Sequence, residues 1–565
     1  MRSWVAGLLV TLLAAALLLG GAVGAGPWDG VYLYRDFVTV PDPVLGANTL
    51  GGEGAPRAVP LDAVVSLLST VLPAGLVARL LLVAPLLLVG SGMTALLRRH
   101  GPVATAVGAG LAVVNPYVAE RLLLGQAPSL LGYAMVPWLV LAVRADRPLV
   151  ARMGLVLIAA APAAITPVGA VMAGVTVLVV SLTVGPRSTS SDATGPVPHR
   201  MGEALGLLAP VALLSLPWLL AALAHPTVGA VPDGADAFAV AADGPWGTVG
   251  SVVTLGGVWA SGAWPESRMH PGVLAVQLVL VLGAAGAWWW LRRGGRQRPD
   301  GRGPNDGWRP ADGLGPGRRR LLDLAAAGYV TVVAGVLLLA GPLLPLWREL
   351  QQVPGLALAR DTHRWLGWAA LAVAVLLALG AAWLTAPVRG EASQGRTVRG
   401  AVAVGAVVGA LALGILTVPD VPGRLARDLR PVAMPAEWRT VVELVNDGPD
   451  GAVLVLPWQP FRQVDWVGPV QFLDPLPRAL EAEALHSRTL VVHRDGKTWE
   501  VGGEGDTGLT GMGRGASLSA DALRQRGISQ VVVWRGSPGE SPAPGAGTLV
   551  HEGRDWQVLR VDQSP

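Results

Sequence analysis

The chain alternates between long apolar runs and short polar breaks. Runs long enough to cross a hydrocarbon core about 30 Å thick, roughly 20 residues each, recur from the N-terminus to about Leu416. Eleven spans are predicted: "WVAGLLVTLLAAALLLGGAVGAG" at the start, then segments near 73–97, 102–118, 128–143, 153–166, 168–185, 204–223, 271–291, 321–346, 365–386 and 399–417. Around "APAAITPVGAV", Pro162 and Pro167 either kink one long helix or separate two short ones. The first run has the outline of a signal peptide, but its length and the spans that follow favour an uncleaved anchor.

The polar breaks differ in charge, and this orients the chain. With the N-terminus inside, the inner segments hold Arg98 and Arg99; Arg144, Arg147 and Arg152; Arg187 and Arg200; the basic run from Arg292 to Arg320; and Arg389, Arg396 and Arg399. The loops 26–72, 224–270 and 347–364, and everything after about 418, then lie outside. The Gly- and Pro-rich run between Arg292 and Arg320 reads as a disordered positive-inside tether.

Beyond Val418 the pattern changes. "GAVLVLPWQP" and "ISQVVVWRG" are short β-branched runs bounded by turn residues, and "SADALRQRG" is a Ser-capped helical turn. The predicted fold is therefore a polytopic α-helical membrane protein over 1–418, followed by a C-terminal extracytoplasmic α/β or α+β domain over 419–565. The tail, roughly 140 residues, can bury its own core.

Composition agrees with this division: 52% of the 565 residues are hydrophobic and 15% charged, with a mean hydropathy of +0.49, which excludes a soluble globular chain. The net charge of +4 follows the membrane rather than forming a stripe with interleaved aromatics, so no nucleic-acid partner is expected. Cysteine is absent, which excludes a disulfide framework, a thiol nucleophile and Cys-ligated metal. No repeat at fixed period and no pair of inverted halves is visible, against the commonest transporter plans.

Candidate chemistry gathers on the outer side. The first loop holds Asp29, Arg35, Asp36, Asp42, Glu53, Arg57 and Asp62. Within it "YLYRDFVTV" is either a short strand or a helix lying on the bilayer, and "AVPLDAVVSLLSTVLP" is an amphipathic helix with Asp62 at its start. In "NPYVAERLLLGQAPSLLGYAMVPW", Glu120, Arg121 and Gln126 interrupt an apolar context, and Pro116, Gly125 and Pro128 predict a turn between two spans. In "LWRELQQVPGLALARDTHRWLGW", Arg360, Asp361, His363 and Arg364 precede a span anchored by Trp365 and Trp368. Arg79 falls early in the second span, where charge is costly and often functional, unless it snorkels to the headgroups.

This layout resembles the GT-C superfamily of membrane glycosyltransferases. "YRDFVTVPDPVL", "AVPLDAVVSLLSTVLP", "NPYVAERLLLGQ" with "LLGYAMVPW", and "ARDTHRW" look like multi-span actinobacterial proteins akin to arabinofuranosyl- and mannosyltransferases. The resemblance implies a polyprenyl-phosphate sugar donor entering from the bilayer, a cell-wall glycan or glycolipid acceptor outside, and inversion by direct displacement. An acceptor hydroxyl then needs a carboxylate to take its proton, and the leaving phosphate needs cations or donors where charge develops.

Asp36, about a dozen residues past the first span where the family places its catalytic acid, is the leading base, and Asp42 the second. Arg360, His363, Arg364 and Arg79 are candidates for the donor phosphate; Glu120, Arg121 and Gln126 are candidates for the substrate pocket. The plainer readings are an Arg35–Asp36 surface pair, a turn at Asp42, headgroup contacts at Arg360 to Arg364, and a Glu120–Arg121 pair. A divalent metal is compatible with such chemistry, but no ligand motif is seen, and His225 and His270 lack metal spacing. The alternative function is a non-catalytic transporter or cell-envelope scaffold of similar architecture. A transporter would place ionisable residues near the midplane of several spans, whereas here they cluster at outer ends.

Overall fold

A computed structural model of the chain describes residues 1–565 except 51–57, 185–196, 225–232, 294–315, 354–355, 387–392, 495, 503–518, 540–546 and 562–565. The readings made at Glu53, Arg57, Arg187, His225, Arg389 and most of the basic tether lie outside the described residues.

Among the described residues, eight helical segments are long and apolar enough to cross a membrane: Arg2–Gly24, Ala74–His100, Pro102–Leu123, Arg200–Ala224, Pro271–Arg293, Arg319–Ala340, Thr362–Leu384 and Thr397–Leu416. Three shorter apolar helices, Ala127–Val143, Leu149–Ala164 and Pro167–Thr183, occupy the remaining predicted spans. The chain is a multi-pass membrane protein.

At "APAAITPVGAV" the chain makes two helices. Thr166 accepts a hydrogen bond from the Gly169 N–H at 3.2 Å, and Pro167 takes the first helical position, where a missing N–H is harmless. The same device corrects one expectation. The segment Pro102–Leu123 is broken after the helix Pro102–Val113, and the turn predicted after 118 is instead a second helix, Pro116–Leu123, capped by Asn115, whose Oδ1 accepts from Val118 N at 3.0 Å. Glu120 and Arg121 therefore ride on a buried helix. The run predicted over 321–346 also stops early, at Ala340, before Gly341 and Pro342, and a short helix Leu344–Leu350 follows.

Small residues let the inner helices approach. A Cβ on Gly7 would overlap the Thr94 side chain at 2.2 Å, and one on Gly90 would overlap Thr11 at 2.3 Å. Around this centre the helix Thr397–Leu416 packs on the core through Val407, Ala410, Leu411 and Ile415, while only 6% of its apolar stretch is buried, as suits a helix at a lipid boundary.

The C-terminal region is built on a five-stranded sheet in the order Gly547–Glu552, Trp556–Val561, Ile528–Trp534, Ala452–Leu456, Ala484–Leu485. Ile528–Trp534 runs parallel to Ala452–Leu456 and antiparallel to Trp556–Val561. Alternate side chains separate the two faces. Val453, Val455, Val532 and Trp534 pack with Val441 and Val445 of helix Glu437–Asn446, while Leu454, Leu456, Val531 and Val533 pack with Leu523 of helix Ala520–Arg524. Ser519 caps the latter helix as its sequence predicts, accepting from Ala522 N.

"YLYRDFVTV" is a hairpin, Val31–Tyr34 with Phe37–Val38, which settles the choice between strand and interfacial helix. It does not stand alone: Val31 and Tyr32 pair with Val432 and Pro431, and Val31, Leu33, Val38 and Val40 enter the core that holds Trp438 and Phe472. A two-stranded ribbon is marginal by itself, and here the C-terminal region supplies its third strand and its apolar face. Asp62 lies in the first turn of helix Leu61–Ser69 as expected, and its Oδ1 is 3.3 Å from Arg478 Nε of the C-terminal region.

Candidate functional site

The hairpin register leaves Arg35 and Asp36 as a two-residue turn. Arg35 takes the left-handed conformation (φ 49°), and its Nη2 donates to the Gly262 carbonyl at 2.7 Å. The turn sits on the end of helix Pro116–Leu123. Tyr34 Oη donates to the Leu123 carbonyl at 2.8 Å, and a Cβ on Gly125 (φ 75°) would stand 2.7 Å from Tyr34 O and Phe37 N. Gly125 is thus required twice, for its backbone conformation and for the contact.

That contact presents Asp36 to Gln126, whose Nε2 donates to Asp36 Oδ2 at 2.8 Å. The amide orientation follows from Arg121, which can only donate: Arg121 Nη1 lies 2.9 Å from Gln126 Oε1, so the Gln126 NH₂ group must face Asp36. Arg121 is fully buried and forks onto Asp361, with Nη1 to Oδ2 at 2.6 Å and Nη2 to Oδ1 at 3.0 Å. Its Nη2 also lies 2.5 Å from His363 Nδ1. The donor character of Arg121 makes Nδ1 the acceptor and leaves the imidazole proton on Nε2, 3.1 Å from Glu120 Oε2. The ring of Tyr117 stacks on His363 with centroids 5.5 Å apart.

All four terminal N–H groups of Arg121 are therefore engaged. Glu120 and Arg121 do not pair with each other; they organise opposite ends of one network. Glu120 Oε2 accepts from Val258 N at 2.9 Å, and its Oε1 lies 3.6 Å from Arg268 Nε. Arg268 forks onto Asp243 at 2.6 and 3.0 Å and also donates to Gln277. Burial alone would raise the Asp361 carboxyl, but Arg121, Arg364 and the Arg121 hydrogen bonds outweigh it and hold it below the usual range. Asp243 is held at about 2 in the same way, burial being overcome by Arg268.

The remaining candidates divide. Arg364 gives its Nε to Asp361 Oδ2 at 3.0 Å, and its side chain stays 24% exposed. Arg360 turns away from this network, its guanidinium 4.4 Å from the centroid of the Phe238 ring. Arg79 neither joins the network nor snorkels. It is buried, donates to the carbonyls of Trp28 and Pro27, each at 2.7 Å, and lies over the Trp28 ring at 4.7 Å. Asp42 is exposed on a bend between Pro41 and Pro43. Among the described residues no group of three or more His, Asp or Glu side chains could hold a metal ion.

Sequence reasoning missed Asp243, Arg268 and Gln277. One signal was available: "ESRMHPG" places a cation just ahead of a span, as "ARDTHRW" does.

No family model and no curated protein matches the chain. Solved structures do. The cryo-EM structure of the mycobacterial arabinofuranosyltransferase AftD aligns over 98% of this chain with a TM-score of 0.57 and 17% identity. An arginine-to-serine variant of that enzyme aligns over 100% with a TM-score of 0.52 and 16% identity. The chain has a GT-C-like fold. It spans about two fifths of the length of either structure, 40% and 42%. At this identity the likeness is one of fold, and within the GT-C-like fold the site must be argued from its own residues.

Proposed function

We propose that the chain is an inverting membrane glycosyltransferase, with a polyprenyl-phosphate sugar as donor and a cell-envelope glycan or glycolipid as acceptor. One observation carries the reading: a half-buried carboxylate, Asp36, sits on a turn with Arg35 in the left-handed conformation and is oriented through Gln126 by a buried guanidinium whose Nη groups are all engaged. Gln126 occupies one lone pair of Oδ2 and leaves the carboxylate capacity to accept a hydroxyl proton as that oxygen attacks the anomeric carbon. The C–O bond to phosphate breaks as the new C–O bond forms, and the phosphate leaves with the electron pair. Of the cations, Arg364 suits that charge best, because its Nη nitrogens have no hydrogen-bond partner among the described residues, whereas those of Arg121 are saturated. Arg121 and His363 then belong to the scaffold of the site.

Membranes carrying the protein, supplied with radiolabelled polyprenyl-phosphate arabinose or mannose, are expected to transfer label to an envelope glycan above the level of membranes lacking it. Absence of transfer from every such donor would move the reading to a non-catalytic scaffold.

The arginine distribution places the site on the outer face with the N-terminus inside. A reporter inserted after Arg99 is expected to show the cytoplasmic side, and one fused behind the sheet region the opposite side. The same side for both would reverse the assignment.

A further inference from the structure

Apart from the Asp36 network, the C-terminal region meets the membrane region at a second place. The ribbon formed by Leu490–Arg494 and Lys497–Val501 lies on the segment 236–239. Arg494 Nη1 donates to Ala239 O at 2.9 Å and Nη2 to Asp236 O at 2.8 Å, and the same guanidinium lies 5.2 Å from the Trp499 ring centroid. On the other side, Arg348 of helix Leu344–Leu350 forks onto Asp236 at 2.5 and 2.6 Å. Between these two clamps is an open groove of about 410 Å³, lined by Asp233, Asp236, Arg348, Glu349, Gln352 and Trp499.

The lining determines what fits. Three carboxylates, Asp233, Asp236 and Glu349, face the guanidinium of Arg348 in the lining and that of Arg494 beside Trp499, so the groove carries a small negative excess that does not favour a phosphate or other anion. Arg348 gives Nε and Nη2 to Asp236, and Gln352 Nε2 donates to Glu349 Oε2 at 3.1 Å, while Asp233, Asp236 and Glu349 present carboxylate oxygens, so the groove is rich in acceptors. The complement is a ligand rich in hydroxyl donors and without negative charge. The half-buried indole of Trp499 supplies an apolar face for the C–H surface of a ring. The volume lies in the range of small-ligand sites.

The groove is connected to the Asp36 network through the chain at Arg360 and Asp361. Arg360 stacks on Phe238, two residues from Asp236, and the next residue, Asp361, is the anchor of Arg121. We infer that this groove is a subsite for a neutral saccharide segment of the acceptor, remote from the hydroxyl that reacts. The inference rests on the glycosyltransferase reading for the word acceptor, and on the groove alone for neutral saccharide.

The test uses the full-length protein in lipid nanodiscs and two readouts. Saturation-transfer NMR with neutral arabinofuranose and mannose oligomers of increasing length is expected to show binding that a sulfated oligomer of the same length lacks. Trp499→Ala is expected to weaken that binding tenfold or more. Exposed Glu349→Gln and Gln352→Ala, which leave the packing intact, are expected to weaken it severalfold and keep the test valid if Trp499→Ala misfolds. In the transfer assay, the KM increase caused by these substitutions is expected to grow with acceptor length. Binding that depends on Trp499 in the absence of any transfer sustains the saccharide site and sinks the transferase reading. Transfer whose acceptor KM ignores all three substitutions, preferred binding of the sulfated oligomer, or no binding of any neutral oligomer overturns the groove and leaves the transferase reading standing.

Discussion

Asp36→Asn is expected to reduce glycosyl transfer by a factor on the order of 10² or more while the protein reaches the membrane at normal abundance. Asn keeps the size of the side chain and still accepts from Gln126, so the hairpin turn and its contact with helix Pro116–Leu123 persist. What it loses is the basicity to take a proton from the acceptor hydroxyl at neutral pH. The loss should fall on kcat, because the hydroxyl can still bind. The check is the glycan profile of cells carrying the variant beside that of a deletion strain. A wild-type profile from Asp36→Asn with an altered profile from the deletion would remove Asp36 from the chemistry and leave a structural function.

Asp361→Leu should cost stability more than any other single change in the network. Arg121 is fully buried, and Asp361 is its carboxylate; without it a guanidinium is left desolvated with a neutral imidazole and a neutral amide as partners. Removing one member of such a pair costs about 3–5 kcal/mol, whereas replacing both by apolar groups of similar size is often neutral or better. Unfolding in detergent should therefore shift strongly for Asp361→Leu and return toward wild type for the double variant Arg121→Met/Asp361→Leu. Transfer activity should not return with it, since the double variant leaves Gln126 without the donor that sets its amide toward Asp36. Recovery of both stability and activity would show that the orientation of Gln126 is irrelevant to function. If the single variant unfolds like wild type, the pair is not buried as described.

The two experiments separate what the residues of this site do. Asp36 is tested as chemistry and Arg121–Asp361 as scaffold, and the network predicts that the second controls the first through Gln126. Arg79, which the sequence placed at a costly depth, belongs to neither class. Its hydrogen bonds to the carbonyls of Pro27 and Trp28 fasten the start of the loop after the first span to the second span.

Local pattern was enough for the existence of the apolar spans, because each is specified by its own run of apolar residues, but not for every boundary: the Asn115–Pro116 start reads as part of a turn, and the Thr166–Pro167 start stays open between a kink and a break. The strands of the C-terminal sheet were legible for the same reason: "AVLVL" and "VVVW" are uninterrupted β-branched runs bounded by turn residues, as a strand buried on both faces requires. The choice of Asp36 over Asp42 also began in the sequence, since a flanking proline pair marks a bend and an aromatic neighbourhood does not.

Tertiary structure decided which charges meet. Asp36 and Gln126 are 90 positions apart, and Arg121 and Asp361 are 240 apart. Nothing local distinguishes an arginine that will fork onto a distant carboxylate from one that will face headgroups. The difference is desolvation: Arg121, fully buried on a helix, has only partners within the protein to find, while Arg364, whose side chain stays partly exposed, also has access to solvent. The same holds for the hairpin, whose short strands become stable only when Val432 pairs with Val31 and the C-terminal core covers them. Periodicity thus determined what lies in the membrane and what forms the sheet, because those preferences act within a few turns of chain; the site was decided by long-range satisfaction of buried polar groups, which no single segment encodes.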